Sequence, residues 1–314
     1  MKYTIVVDSV AAIPESILKT RPIKVLPIVI DIDGTVQRDD LSEQELIDIY
    51  QGDTLSVKSV IKSLPPSSEQ IRDMILTEIA PYSDYAVCQS LSRVTSSIYE
   101  TTEKVASGIS KDARDVRNEL GIEHPFRMTA LNTGTTLAGQ GLVAIYSDIM
   151  LGRGTEIQEY SNKIEKFTKL VKTYVIVKDL VYSRQRAIEK GVKTVGLGTA
   201  LIGKTVGLTP IVEICNDVTT PVAKTLGFDK TLDKLITFIT EQIIEGLLVP
   251  VINISYAGDL DDIHTLSVTD KLKEVAKKHK VKLLFGVMGL GSSTVYGPGA
   301  FSVGIVPKNR QAQP

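Results

Sequence analysis

Ser92, Thr95, Ser96 and Ser97 surround Arg93 in the segment SLSRVTSSIYETT, which runs from Ser90 to Thr102. Behind it YAVCQ is short, apolar and partly β-branched, as at the end of a strand. Ahead of it Ile98, Tyr99, Thr102, Val105 and Ala106 fall at helical spacing, with Glu100 in the first turn. A strand that feeds a polar loop and then a helix leaves free backbone N–H groups aimed at one spot, which suits an anion. Arg93 can grip a carboxylate through its planar fork, and Ser92 and Ser96 can add short hydrogen bonds. A surface arginine beside a serine-capped helix is the plainer alternative.

Three further places carry similar chemistry. Asp8 and Ser9 end the run TIVVDS, and the carboxyl edge of a wound sheet is where ligands sit; a helix cap or a loop brace is the other account of Asp8. Ser63 to Ser68, SLPPSS, offers hydroxyls beside a proline-stiffened turn, able to hold an anion or to cap the helix that follows. Near the C-terminus Tyr296 and Gly297 lead into Gly297-Pro298-Gly299, a rigid turn where small residues permit close backbone approach. NTGTTLAGQG, Asn132 to Gly141, has glycines after a strand but not the GxGxxG spacing, so close packing of a helix explains them better than a dinucleotide does.

Catalytic machinery is hard to assemble from the remainder. His124, His264 and His279 stand apart from one another and from Cys88 and Cys215, so no metal-ligand spacing arises. The GxSxG and HExxH patterns are absent from the sequence. The acidic group DLDDIH, Asp259 to His264, reads as a solvated loop and helix start. The expectation is a protein that binds rather than catalyses, with no metal and no cofactor.

These residues are carried by a chain of 314 residues with 43% hydrophobic and 23% charged residues, long enough for two lobes with their own cores. A net charge of −1 gives no field that attracts nucleic acid or an anionic membrane. Trp is absent and aromatics make up 5%, leaving few platforms for stacking bases. MKYTIVVDSV reads as a strand because Asp8 interrupts its short apolar run. No stretch approaches the ~18 apolar residues of a spanning helix. Two unlinked cysteines fit a reducing cytoplasm.

The elements alternate. TIVVDS, VLPIVIDIDGTV, YAVCQ and FRMTALNT read as extended segments, with Asp33-Gly34 a turn inside the second. LSEQELIDIYQ begins with a capping box formed by Ser42 and Glu45, and Ser67 or Ser68 opens another helix. A helix starts near Thr136. This order predicts an N-terminal wound parallel sheet with helices on both faces, over about residues 1–160. A C-terminal α/β lobe follows over 161–314, with YVIVK, VPVINISYAG, KLLFGVMG and FSVGIV as strands. There LTPIVEICND and TPVAKTL form a hairpin turning at Asn216-Asp217, and helices cover LVYSRQRAIEKG, TLDKLITFITEQIIEG and VTDKLKEVAKKH.

Taken in order, Asp8-Ser9, the serine-proline loop, the serine-rich turn ending in Tyr99, and GPGA before the last strand resemble the DegV family over nearly the whole chain. Tyr182 and Arg184, Leu208 to Val212, and Lys224, Gly227 and Lys230 match further family segments. The resemblance implies a two-lobed α/β protein that holds one long-chain fatty acid in a buried apolar tunnel between lobes. In well-studied members it presents the carboxylate to the catalytic subunit of a fatty acid kinase, which makes such a subunit a candidate partner. The resemblance places Ser63 at the family's carboxylate-binding threonine and Ser92 and Arg93 at its paired serines. Three basic family positions differ: histidine is Val295, arginine is Leu226 and lysine is Thr209. Each would supply a charge-assisted bond to a phosphorylated head group, so their loss weakens the kinase-partner expectation. Two alternatives remain open: an acyl- or phosphate-transfer enzyme using Asp8 and the hydroxyl loops, and a regulatory or scaffold protein that has kept the fold but lost the ligand.

Overall fold

The computed structural model describes residues 1–52, 54–189 and 207–314. The first half contains β1 (Tyr3–Asp8), α1 (Glu15–Leu18), β2 (Ile23–Leu26), β3 (Val29–Ile32) and β4 (Thr35–Arg38). Next come α2 (Glu43–Gln51), β5 (Ile61–Leu64), α3 (Ser68–Met74), a π-helical turn at Ile75–Ile79 and β6 (Tyr85–Ser90). It closes with α4 (Ile98–Ala106), α5 (Ile109–Glu119), β7 (Arg127–Asn132), α6 (Leu137–Gly152) and α7 (Ile157–Thr168). The second half has β8 (Lys172–Ile176), α8 (Leu180–Glu189), β9 (Leu208–Cys215), β10 (Val218–Leu226) and α9 (Phe228–Glu245). It ends with β11 (Val251–Tyr256), α10 (Leu260–His264), α11 (Ser267–Lys278), β12 (Lys282–Val287), α12 (Leu290–Tyr296) and β13 (Phe301–Ile305). The last two residues of the helix expected over LVYSRQRAIEKG lie outside the described residues.

Local chemistry explains several boundaries. Ser42 accepts from the Glu45 N–H while the Glu45 carboxylate accepts from the Ser42 N–H, and Ser67 and Gln70 do the same at the next helix. Asn216 and Asp217 both have positive φ, 49° and 63°, which two-residue hairpin turns demand and these residue types tolerate. They join β9 to β10 as an antiparallel pair.

The N-terminal sheet has the order β2-β1-β6-β7 and is parallel throughout. Alternation along its strands sends Val6, Ala86, Cys88 and Met128 to a core under α3, α4 and α5. Ile5, Val7, Tyr85 and Val87 face a core shared with α6 and α7. A strand covered on both faces must be apolar along its length, and all of β6 is buried.

The extended segment VLPIVIDIDGTV divides more finely than its composition indicates. β2 joins the parallel sheet, whereas β3 and β4 turn back as a hairpin in a separate sheet of order β4-β3-β5. Ser63 consequently stands on a strand and not in the loop. Its register partner is Ile30, and Ile61 pairs with Ile32. Residues paired across a ladder share a face, so Ser63 points to the side on which Ile30 and Ile32 are buried.

The C-terminal sheet is mixed, of order β10-β9-β8-β13-β11-β12. β13 runs antiparallel to both β8 and β11, while β11 and β12 are parallel. One face packs on α9 and α11 through Tyr174, Ile176, Ile252, Ile254 and Phe301. The other meets α6, thirteen of whose sixteen residues are buried; a helix apolar all round belongs inside a protein. Glycine makes this approach feasible. A Cβ at Gly139 would lie 1.7 Å from Thr173 Oγ1, and one at Gly304 would lie 2.7 Å from the Ala138 backbone.

The three sheets also converge on one further apolar cluster. Ile30 and Ile32 come from the small sheet, Tyr50 from α2, Leu91 from beyond β6, Val175 and Val212 from the large sheet, and Leu290 and Tyr296 from α12. It is this cluster that the hydroxyl-bearing turns border.

Candidate functional site

At the carboxyl edge of β1 the Asp8 carboxylate is buried. Its Oδ1 accepts from the Val10 N–H at 3.1 Å, and its Oδ2 accepts from the Leu91 N–H at 2.8 Å and the Gln140 side-chain amide at 3.0 Å. Burial pushes its pKa up to about 6 against the pull of those donors. Asp8 thus ties β1, β6 and α6 together through three donors. The brace is its observed role.

Ser9 Oγ accepts from the Ile28 N–H at 3.1 Å, close to the buried Asp39. Asp39 in turn accepts from the Leu290 and Gly291 N–H groups, both at 2.8 Å. An internal carboxylate therefore satisfies the free donors at the start of α12. Gly291 permits it, since a Cβ there would come within 2.7 Å of Asp39 Oδ2.

The serine-rich turn after β6 also holds a carboxylate of the chain's own. Ser92 Oγ donates to Asp217 Oδ1 at 2.5 Å, and the Asn132 amide donates to Asp217 Oδ2 at 2.7 Å. Asp217 belongs to the β9–β10 turn, and its N–H donates to the Gly134 carbonyl at 2.8 Å. The hairpin tip thereby seats on the ends of β6 and β7. Ser92 is buried, whereas Asp217 is half-buried.

Arg93 turns outward. Its guanidinium contacts Glu100 at 3.1 Å and lies 5.0 Å above the Tyr99 ring, with about half of its side chain exposed (50%). Ser96 Oγ accepts from the Ile98 N–H at 3.3 Å, a local turn at the entrance to α4. Tyr296 and Gly297 meet α8 instead. The Tyr296 carbonyl accepts from Ser183 Oγ at 2.9 Å, and Gly297 leaves room for the Tyr182 ring, which a Cβ would approach to 2.9 Å. The structure thus brings Asp8 to the Leu91–Ser92 turn and Ser9 to Asp39. It groups Tyr296 with Tyr182 and leaves Arg93 at the surface.

Between the end of α2 and the Gly297-Pro298-Gly299 turn lies a cleft of about 480 Å³. Its lining is mixed: Tyr50, Leu55, Val57, Tyr182 and Tyr256 stand beside Lys178, Asp179, Asp259 and Asp262. Tyr50 reaches across to donate to the Met288 carbonyl. Val295 packs against the apolar cluster; Thr209 is buried and Leu226 is exposed. Among the described residues no three His, Cys, Asp or Glu side chains converge as a metal site, and no helix is long and apolar enough to cross a membrane.

Asp39, Asn132, Gln140 and Asp217 do not stand out as site residues in the sequence. Asp217 was readable as a turn, but its partner Ser92 lies 125 residues away.

The model of the family described as "Uncharacterised protein, DegV family" matches residues 2–308. The chain belongs to the DegV family. A DegV domain-containing protein of Xanthomonas axonopodis pv. citri is 30% identical over 304 residues, covering 97% of each chain. Among solved structures, DegV of Bacillus subtilis, described as a fatty acid binding protein, superposes with a TM-score of 0.73 at 17% identity, covering 98% of this chain and 100% of that one. A stearic acid-binding protein of Eubacterium ventriosum gives 0.75 at 19% identity, with 98% of each chain covered. At such identities the structural likeness speaks for the DegV fold.

Proposed function

We propose that this DegV protein binds one long-chain fatty acid in the apolar region where its three sheets converge, as a carrier without catalysis of its own. The observation that carries the reading is the whole-chain match to a family whose solved members include proteins described as binding fatty acids, one of them stearic acid. The geometry supports it in two ways. Ser63 sits in register with Ile30, so a hydroxyl faces the apolar cluster, and Ser92 adds a second at its rim. A chain of ~14–18 carbons gains of order 10 kcal/mol on burial, at ~0.8 per methylene. Its carboxylate must still be hydrogen-bonded, because an unpaired buried charge is costly.

Ser63 and Ser92 are the head-group residues in this proposal. Arg93 neighbours Ser92 in the chain and would join only by leaving Glu100. A transfer enzyme built on Asp8 is less well supported, since that carboxylate is buried and already accepts three hydrogen bonds. A fatty acid kinase as partner is also less well supported, given Val295, Leu226 and Thr209 at basic family positions.

Native mass spectrometry of protein purified from a bacterial host, with solvent extraction of any adduct, tests the reading. The expected result is a one-to-one adduct that extracts as a fatty acid and diminishes in Ser63→Ala. A clean unliganded mass, with no uptake of added palmitate or oleate, would sink it and favour the scaffold alternative.

A further inference from the structure

We propose that the Asp217 carboxylate is an internal competitor for the head-group site, so that an incoming acid gains Ser92 and Asn132 only by displacing the β9–β10 turn. The inference rests on the fatty-acid reading above and adds its regulation.

The donors at this turn are few and their geometry is specific. Ser92 Oγ and the Asn132 amide converge on the two oxygens of one carboxylate, at 2.5 and 2.7 Å. That is the arrangement a free carboxylic acid's anion would seek, and charge-assisted bonds of this length are stronger than those between neutral groups. A hydroxyl has one proton to donate, so Ser92 cannot serve Asp217 and a ligand together. Two carboxylates around the same hydroxyl would also repel. Occupancy by one therefore opposes occupancy by the other.

The two rivals are unequally placed. Ser92 is buried and Asp217 only half-buried, beside an exposed Asn216. On release the Asp217 carboxylate can rotate into water and recover its hydration, whereas Ser92 needs a replacement acceptor. What anchors the turn beyond that carboxylate is the Asp217 N–H bond to the Gly134 carbonyl. Gly134 itself approaches so closely that a Cβ would lie 3.2 Å from the Asn216 Cα. Exchange of carboxylates would thus loosen the tip of a hairpin from the N-terminal sheet, making a ligand-dependent signal on the outside of the protein. β10, which follows the turn, is the edge strand of the large sheet.

Asp217→Gly is the informative variant. Residue 217 has φ 63°, and Asn-Gly is among the best sequences for such a turn, so the hairpin is retained while the competing carboxylate is removed. Palmitate affinity is measured by calorimetry on protein stripped of lipid, for wild type, Asp217→Gly, Ser92→Ala and the double variant. The expected result is binding at least ~10-fold tighter in Asp217→Gly, the fold-change of one charge-assisted hydrogen bond. That gain should vanish when Ser92→Ala is added. Hydrogen exchange of the wild-type Asp217 amide should also quicken on adding palmitate. If wild type binds palmitate and Asp217→Gly binds it equally or more weakly, the competition is refuted while the carrier reading stands. Binding by Asp217→Gly alone would support the competitor in its strongest form. Binding by neither overturns both.

Discussion

Adding one methyl group at Gly139 would place a Cβ 1.7 Å from Thr173 Oγ1 and 2.9 Å from Thr135 Oγ1. Neither hydroxyl is free to retreat. They bond to each other at 2.6 Å, both residues are fully buried, and Thr173 is fixed in β8. Gly139→Ala must therefore rotate Thr173 and break that pair, or push α6 off the large sheet. Overpacking costs ~1–3 kcal/mol, and each hydroxyl left unpaired costs a further ~1–3. Alanine returns ~1 through its better helix propensity. The net loss is about 2–8 kcal/mol, and at ~2–4 °C per kcal/mol for a unit of this size the melting temperature falls by at least ~4 °C. Far-UV circular dichroism melts of Gly139→Ala, Thr173→Ala and the double variant measure it. Because Thr173→Ala removes the offending oxygen, the double variant should be more stable than the sum of the two losses, by ~1–2 kcal/mol of coupling. A Gly139→Ala protein that melts within ~1 °C of wild type, or a pair that is simply additive, would refute the account of α6 as seated by its glycines.

Two more outcomes follow from buried charge. Burial raises Asp8 from 3.8 to about 6, so the folded protein takes up this proton more readily than the unfolded chain. Its contribution is full below 3.8 and lost as pH rises through about 6; at ~1.4 kcal/mol per pH unit this amounts to ~3 kcal/mol. The stability of wild type relative to Asp8→Asn should accordingly decline across that window, and a difference that stays flat or rises with pH would contradict the assignment. Arg117 is 2% exposed and donates to the carbonyls of Ala80, Ser83 and His124 and to Asp84, at 2.6–2.9 Å. Arg117→Met should lower stability by ~3–5 kcal/mol in urea titrations by leaving these acceptors unpaired, whereas Arg117→Lys, which keeps the charge without the fork, should lose less. Equal losses would show that the charge contributes nothing there without the fork.

The sequence was most legible where structure is decided locally. The capping box at Ser42, the Asn216-Asp217 turn and the packing glycines of α6 each depend on residues a few positions apart, or on a steric demand that only small residues meet. VLPIVIDIDGTV was harder, because its apolar residues suit either a strand of the parallel sheet or a hairpin of the small one, and only pairing with β5 decides. That same pairing moved Ser63 from loop to strand. Least legible were the carboxylates that occupy the donor clusters. Asp39 meets α12 across 251 residues and Asp217 meets Ser92 across 125. From composition an anion-binding turn looks the same whether its anion arrives from outside or from elsewhere in the chain.

The central position of β13 has a consequence for how the protein is made. Phe301 is in register with Ile176 of β8 and Tyr256 of β11, so this strand supplies the hydrogen-bonded link between the two halves of the large sheet. Among the described strands, a ribosome delivers it after all the others. Until then β8 and β11 present bare, apolar edges, the kind that recruits strands from other chains. The N-terminal sheet can close while synthesis continues, but the nascent C-terminal half must wait. Chaperone dependence should therefore fall on the interval between the emergence of Tyr256 and that of Ile305.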